Sequence, residues 1–174
     1  LPSLSRIKKS FNHNTPICVD SGGFSELNIN GKWTITPQEY NDKLIQLTQI
    51  GLKIEWAAQQ DWMCEPFVLE KTKLSIEQHQ DLTVQNLIQL RSFKPLIHYI
   101  PVLQGYTLQD YYNHFEKFES AGFNLRSESI VGVGSVCRRQ STKEIEYIMK
   151  SLANKGLNLH GFGVKTNGLK KYGQ

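Results

Sequence analysis

The sequence predicts an α/β fold of consecutive strand–helix units, with a parallel sheet and the character of a (β/α) barrel. Three observations carry that expectation. Apolar β-branched runs alternate with stretches of helical apolar spacing, the pattern that calls for a parallel sheet covered by helices. Each unit spans roughly 30–45 residues, the scale of a barrel repeat once its loops are counted. The residues least suited to packing, Asp20, Asp61, Gln104, Gly134 and Gly163, fall at or just past the carboxyl ends of successive predicted strands, where barrel enzymes assemble their sites. A doubly wound open sheet is the competing architecture. No G-x-G-x-x-G opens a first helix, which weakens it as a dinucleotide binder.

Taken in order, residues 1–15 carry Arg6, Lys8 and Lys9 and read as a short basic helix or loop. Pro16 introduces a first strand through Ile17, Cys18 and Val19, ending at Asp20. Residues 26–32 read as a polar loop, with Asn30-Gly31 as a hairpin signal. Thr36-Pro37-x-Glu39 is a helix start, with Thr as N-cap and Pro at the first helical position. Leu44, Leu47 and Ile50 follow at helical spacing, and Gly51 ends the element. Residues 53–58 form the second strand, closed by the run from Gln59 to Pro66. A long helix over about 75–91 opens on Ser75-x-x-Gln78, a capping box. Residues 97–103 make the third strand despite Pro101, and it runs into Gln104-Gly105-Tyr106. The helix over 108–121 carries Tyr111, Tyr112, Phe115 and Phe118 at spacings of three and four, a stripe that reads as core packing. A fourth strand over 129–133 ends in Gly134-Ser135, and a helix over 142–155 is closed by Gly156. The fifth strand, over 157–162, leads into Gly163-Val164-Lys165, and a further element begins at Gly168.

The 174 residues, 39% hydrophobic and 21% charged, fit one domain over 1–174 with a real core. No apolar run reaches the roughly 18 residues that span a bilayer, and no signal pattern opens the chain. Cys18, Cys64 and Cys137 are odd in number and dispersed, which argues against a disulfide framework or zinc ribbon and for a reducing cytoplasm. The formal charge of +4 permits nucleic-acid binding without demonstrating it.

The stretch Asp20-Ser21-Gly22-Gly23-Phe24 places a carboxylate at a strand end before two glycines, whose missing Cβ lets backbone approach a ligand closely. The bland reading is an Asp that caps its own turn. Asp61 and Gln104 pair an acceptor-only group with an amide that donates and accepts, a combination able to read a purine-like edge. Phe24 and Phe162 hold equivalent positions after two strand ends, placed to stack a flat heterocycle between them.

Four segments, Asp20-Ser21-Gly22-Gly23-Phe24, Val102-Leu103-Gln104-Gly105, Val131-Gly132-Val133-Gly134 and His160-Gly161-Phe162-Gly163-Val164, recur in the order seen in tRNA-guanine transglycosylases. With Gln60-Asp61-Trp62-Met63-Cys64-Glu65-Pro66 and Gly134-Ser135-Val136-Cys137-Arg138-Arg139, the chain more closely resembles the DpdA-like branch, which puts 7-deazaguanines into DNA. The resemblance covers about residues 16–172. It implies a (β/α)8 TIM barrel, of which this chain would be a fragment with about five βα strands, truncated at both ends. It implies exchange of guanine in nucleic acid for a preQ0-like 7-deazaguanine through a covalent Asp intermediate, with DNA favoured over tRNA.

Residue by residue, the resemblance makes Asp20 the catalytic acid–base group near the glycosidic bond. It gives Asp61 and Gln104, with Gly105 and Gly134, to the base edge, and Phe24 and Phe162, beside Gly163, to stacking. The family's nucleophile is an aspartate on a later strand, and nothing after Lys165 is acidic, so it is expected beyond Gln174. No cofactor is expected within the chain. The zinc cluster of the tRNA enzymes also has no match, so no metal is expected. The alternatives are a tRNA-specific transglycosylase and a catalytically inactive barrel that only binds a base or nucleic acid. Arg138, Arg139 and Lys165 could hold phosphates beside the pocket or simply form a solvated helix start. The features leave room for a homo-oligomer or a partner protein.

Overall fold

The computed structural model describes residues 15–93, 96–139 and 142–164. Lys165, the element begun at Gly168 and nearly all of the basic segment 1–15 lie outside them. Within the described residues the strands are β1 (Ile17–Val19), β2 (Ile54–Ala58), β3 (Tyr99–Ile100), β4 (Val102–Leu103), β5 (Val131–Val133) and β6 (Leu159–Gly161). The helices are α1 (Gly23–Asn30), α2 (Pro37–Gln49), α3 (Pro66–Thr72), α4 (Ile76–Ser92), α5 (Leu108–Ser120) and α6 (Lys143–Asn154). Every strand pairing is parallel, in the orders β1-β2-β3 and β4-β5-β6.

The strand expected over 97–103 is divided at Pro101, and the division explains the two sheets. The carbonyls of His98 and Ile100 accept from Ala57 and Gln59 on one side. Those of Pro101 and Leu103 accept from Gly132 and Gly134 on the other. Proline lacks a donor but keeps its carbonyl, so β3 and β4 are two halves of one path that links the sheets into a single arc. The strands then follow sequence order without the reversal a doubly wound sheet requires.

The arc is curved. Trp56 of β2 meets the His160 ring of β6 edge-on at 5.0 Å and the Phe162 ring at 6.5 Å. Three strand spacings separate β2 from β6, about 14 Å in a flat sheet, so these rings meet across a concave face. No closed barrel is present among the described residues.

Local chemistry accounts for the helices. Capping boxes start α2 (Thr36 with Glu39), α4 (Ser75 with Gln78) and α5 (Thr107 with Asp110), and Thr142 caps α6. The polar loop and hairpin expected over 26–32 are replaced by α1. Gly22 and Gly31 take left-handed φ values of 81° and 66° at its two ends, and the Gly31 N–H closes onto the Leu27 carbonyl. Asn-Gly here ends a helix, with Leu27 fully buried; the same dipeptide serves either turn. The run expected only to close the second strand also leads into the short helix α3; Pro66 starts it and Lys73, at φ 61°, stops it.

Between the sheet's outer face and the helices lies one apolar cluster that includes Tyr40, Leu44, Leu87, Leu90, Tyr111 and Phe118. The aromatic stripe of α5 is part of it, as its spacing predicted. The helices therefore hold the strands from outside, and the strand ends are left to shape the site.

Candidate active site

Five strand ends converge on one cavity of about 190 Å³. Asp20, Asp61, Gln104, Gly134 and Gly163 all line it, with Phe24 and Phe162. Ser21, Gly23, Met63, Ser135 and Cys137 complete the wall. A larger, open groove of about 880 Å³ lies between α4 and α5, but it is lined by helical and cap residues such as Glu77, Asp81, Asp110 and Glu116. It contains none of the strand-end residues, and its acidic rim would repel a nucleic acid.

Each wall of the cavity has a local cause. Asp20 does cap its own turn, accepting from the Gly22 N–H at 2.8 Å, yet its exposed side chain still borders the cavity. Gly23 opens α1 where a side chain would press on the Asp61 backbone and on Trp33, each 3.2 Å from the Cβ position. Trp33 Nε1–H donates to the Asp61 carbonyl at 3.2 Å. The loop after Asp61 is pinned from α4: Thr83 Oγ1 accepts from the Trp62 N–H at 2.8 Å, and His79 Nδ1 lies 2.6 Å from the Met63 carbonyl.

At the centre is a hydrogen-bonded chain. Ser21 Oγ–H donates to Asp61 Oδ1 at 2.8 Å. The Gln104 side-chain amide donates to Asp61 Oδ2. Gln104 Oε1 lies 2.7 Å from Ser135 Oγ, and Ser135 Oγ lies 2.7 Å from Glu65 Oε2. Gln104 itself is held by its backbone. Its N–H donates to His114 Nδ1 at 2.8 Å, and its carbonyl accepts from Gln80 Nε2 at 2.9 Å. Tyr111, a core residue by sequence, also places its hydroxyl 2.7 Å from the Gly134 carbonyl.

Gly134 is glycine for a reason other than ligand approach alone: a Cβ there would overlap the Gln104 amide. Gly163 combines φ +69° with a Cβ position 2.5 Å from that of Cys137, so both its backbone and its space exclude a side chain. Gly132 gives way to the Phe162 ring in the same manner.

Burial sets the electrostatics. It raises the Asp61 carboxyl to about 6, aided by the nearby Asp20 and opposed by the Ser21 and Gln104 hydrogen bonds. Glu65 is also pushed up by burial, against the Ser135 bond and the Arg138 and Arg139 charges. His114 is driven down to about 3 by burial and stays neutral. The Cys64 thiol is pushed well up by burial, which leaves no thiolate for a nucleophilic role. His160, packed between Trp56 and Phe162, is lowered by burial.

Three of the residues singled out by sequence stand apart from the cavity wall. Gly105 packs against the start of α5, its Cβ position 2.8 Å from Asp110. Arg139 is turned inward: it bonds the Tyr106 carbonyl at 2.8 Å, pairs with Glu144 at 3.2 Å and stacks on the Tyr106 ring. Arg138 is exposed, its guanidinium 5.2 Å from the Phe24 centroid and 4.6 Å from that of Phe67. Sequence reasoning missed the supporting groups Ser21, Glu65, His114 and Ser135. For Ser21, Glu65 and Ser135 the available signal was their position inside the same strand-end motifs, whereas His114 lies in the buried stripe of α5. Among the described residues no group of three or more His, Cys, Asp or Glu side chains could hold a metal ion, and no helix is long and apolar enough to cross a membrane.

No curated protein matches the chain. A family model matches nearly all of it, residues 3–174, including every strand-end motif that lines the cavity. The chain belongs to the DpdA family, DeoxyPurine in DNA protein A.

Proposed function

We propose that this chain recognises the base in a transglycosylase that exchanges guanine in DNA for a 7-deazaguanine. The observation that carries the reading is the convergence of Asp20, Asp61, Gln104, Gly134, Phe24 and Phe162 on a single cavity. At about 190 Å³ that cavity is smaller than the roughly 300–1,000 Å³ pockets that take drug-sized ligands, and it suits one planar bicyclic base.

The chemistry follows from the lining groups. Asp61, ionised above its raised value, accepts from the N–H groups of a guanine-like edge, and each of its oxygens keeps a lone pair beyond its Ser21 or Gln104 bond. Phe24 and Phe162 supply apolar surface for the faces of the base, worth about 1–3 kcal/mol per stacked face. The reaction is double displacement. A carboxylate attacks the anomeric carbon, the C1′–N9 bond breaks, and guanine leaves with a proton from Asp20. The 7-deazaguanine then gives its N9 proton to Asp20 and displaces the carboxylate. Asp20 and Asp61 have the acid–base and recognition roles, and the family resemblance gives the attack to an aspartate on a later strand. The exposed Arg138, stacked on Phe24 of the cavity lining, would meet a phosphate.

The test is mass spectrometry of nucleosides from host DNA and tRNA, with and without the gene. A deazapurine deoxynucleoside that depends on the gene is the expected result. A gene-dependent change confined to tRNA would move the substrate to RNA, and no change in either would refute base exchange.

A further inference from the structure

The cavity is backed by a group that the base-exchange reading does not use. Glu65 is 5% exposed and sits outside the cavity wall at the start of α3. Its Oε2 lies 2.7 Å from Ser135 Oγ, which in turn lies 2.7 Å from Gln104 Oε1. The same Ser135 Oγ accepts from the Cys64 N–H at 2.9 Å.

Counting protons shows what these contacts require. A serine hydroxyl has one hydrogen and two lone pairs. With the Gln104 NH₂ committed to Asp61, its Oε1 needs the hydroxyl hydrogen. One Ser135 lone pair is filled by the Cys64 N–H, and the other faces Glu65. Two acceptors cannot share that line, so Glu65 must donate, which only its protonated carboxyl can do. Every polar atom in the chain is then satisfied: Glu65 to Ser135, Ser135 to Gln104, Gln104 to Asp61. If the proton moves to Asp61, the Gln104 amide must turn over. Its oxygen then accepts from Asp61, its NH₂ donates to Ser135, and Ser135 donates to an ionised Glu65. The two arrangements present different chemistry to a ligand: in the first Asp61 is an ionised acceptor, and in the second it is a neutral acid whose one hydrogen is spent on Gln104.

Ser135 carries a second mark of this role. It is one of two non-glycine described residues with positive φ, at 56°, a conformation unfavourable for a side chain with a Cβ. Glycine would fit that backbone better, but only a side chain can place a hydroxyl between Glu65 and Gln104.

We propose that Glu65 is a positioning residue for base recognition: acting through Ser135, it fixes which way the Gln104 amide faces and so keeps Asp61 an ionised acceptor. This rests on the base-binding reading above. Burial disfavours the charged form of Glu65, while Arg138 and Arg139 from the turn after β5 favour it. Tyr111 and Cys64 also face the same pocket of buried groups, and both are held neutral by burial.

The experiment uses the full-length protein and has two arms. In the ligand-free arm, the carboxyl carbons of Asp and Glu are labelled with ¹³C and titrated by NMR. The signal that disappears in Glu65→Gln stays protonated above the ordinary glutamate range. If that signal titrates normally while the Asp61 signal holds the proton, the amide faces the other way and the proposal is overturned.

In the binding arm, affinity for 7-deazaguanine is measured by calorimetry against pH. Wild-type affinity falls on the alkaline side as Glu65 ionises. Glu65→Gln, whose NH₂ donates to Ser135 at any pH, keeps wild-type affinity at neutral pH and loses that limb. Ser135→Gly relaxes the backbone yet weakens binding about tenfold, the worth of one buried hydrogen bond. Glu65→Ala behaves like Ser135→Gly. An unchanged alkaline limb in Glu65→Gln, or wild-type affinity in Ser135→Gly, would overturn the proposal. Should wild type bind no 7-deazaguanine at all, the base-binding reading falls, and the ligand-free titration still decides where the proton sits.

Discussion

Replacing Asp61 by Asn separates recognition from packing. The side chains have nearly the same shape, but one acceptor oxygen becomes an NH₂. A guanine-like edge would then meet donor with donor in a cavity where Asp61 is 8% exposed, leaving buried groups unpaired. The cost is about 1–3 kcal/mol or more, hence a roughly tenfold to hundredfold or larger loss of 7-deazaguanine affinity. Stability moves the other way. The folded protein holds the Asp61 carboxyl at about 6 rather than 3.8, chiefly through burial. A group raised in the folded state gives stability that is complete below about pH 4 and is lost as pH rises through about 6. That loss is at most about 3 kcal/mol. Asn escapes it, because it cannot ionise and because the Gln104 amide can turn to accept from it. Ionisation of Glu65 in the mutant takes part of the gain back. Melting temperatures should therefore show Asp61→Asn gaining on wild type between about pH 4.5 and pH 7.5, at about 2–4 °C per kcal/mol for a chain of this length. Calorimetry with 7-deazaguanine on the same samples completes the assay. Wild-type affinity in the mutant, or a melting temperature that falls further behind as pH rises, would refute the reasoning.

Three other substitutions test separate parts of the account. Gly134→Ala puts a methyl group where the Gln104 amide lies; base affinity should drop tenfold or more, and overpacking should cost about 1–3 kcal/mol, with an unperturbed melt counting against that geometry. Arg138→Ala should weaken DNA binding and lower the slope of log affinity against log salt by about 1, while free 7-deazaguanine binds as before; an unchanged salt slope would remove Arg138 from the phosphate contacts. Leu87→Ala, in the core at 0% exposure, should cost about 2–5 kcal/mol of stability and leave the affinity of the remaining folded protein alone, as chemical denaturation can check.

The order of strands and helices was legible because each element has its own signal. Capping residues at Thr36, Ser75, Thr107 and Thr142 mark helix starts, and apolar β-branched runs mark buried strands. The convergence of five strand ends was legible for the same reason, since parallel strands of one sheet all end on one side. What could not be read were choices made by tertiary contacts. Asn30-Gly31 serves a hairpin or a helix end equally well, and only the burial of Leu27 against Met63 and Val68 decides for the helix. The supporting groups Ser21, Glu65 and Ser135 carry no periodicity, and His114 shares the buried stripe of α5, which reads only as packing; their roles exist only through partners 10 to 71 residues away. Arg138 and Arg139 are identical in sequence terms. One is exposed on two aromatic rings and the other is clamped to carbonyls.

The buried polar chain is also what ties recognition to the fold. Asp61, Glu65, Gln104 and Ser135 are each 8% exposed or less, and unpaired groups at such depth would cost about 1–3 kcal/mol apiece. None finds its main partner on its own strand end. Ser21 follows β1, Asp61 and Glu65 follow β2, Gln104 follows β4 and Ser135 follows β5. A slip of any strand relative to its neighbour would strand a carboxylate or an amide, so the network penalises the wrong register as strongly as the apolar core does. The cavity therefore needs no separate scaffold. The hydrogen bonds that hold the strand ends in register are those that orient Gln104 and Asp61 toward a base, and a ligand meets donors and acceptors already paid for by folding.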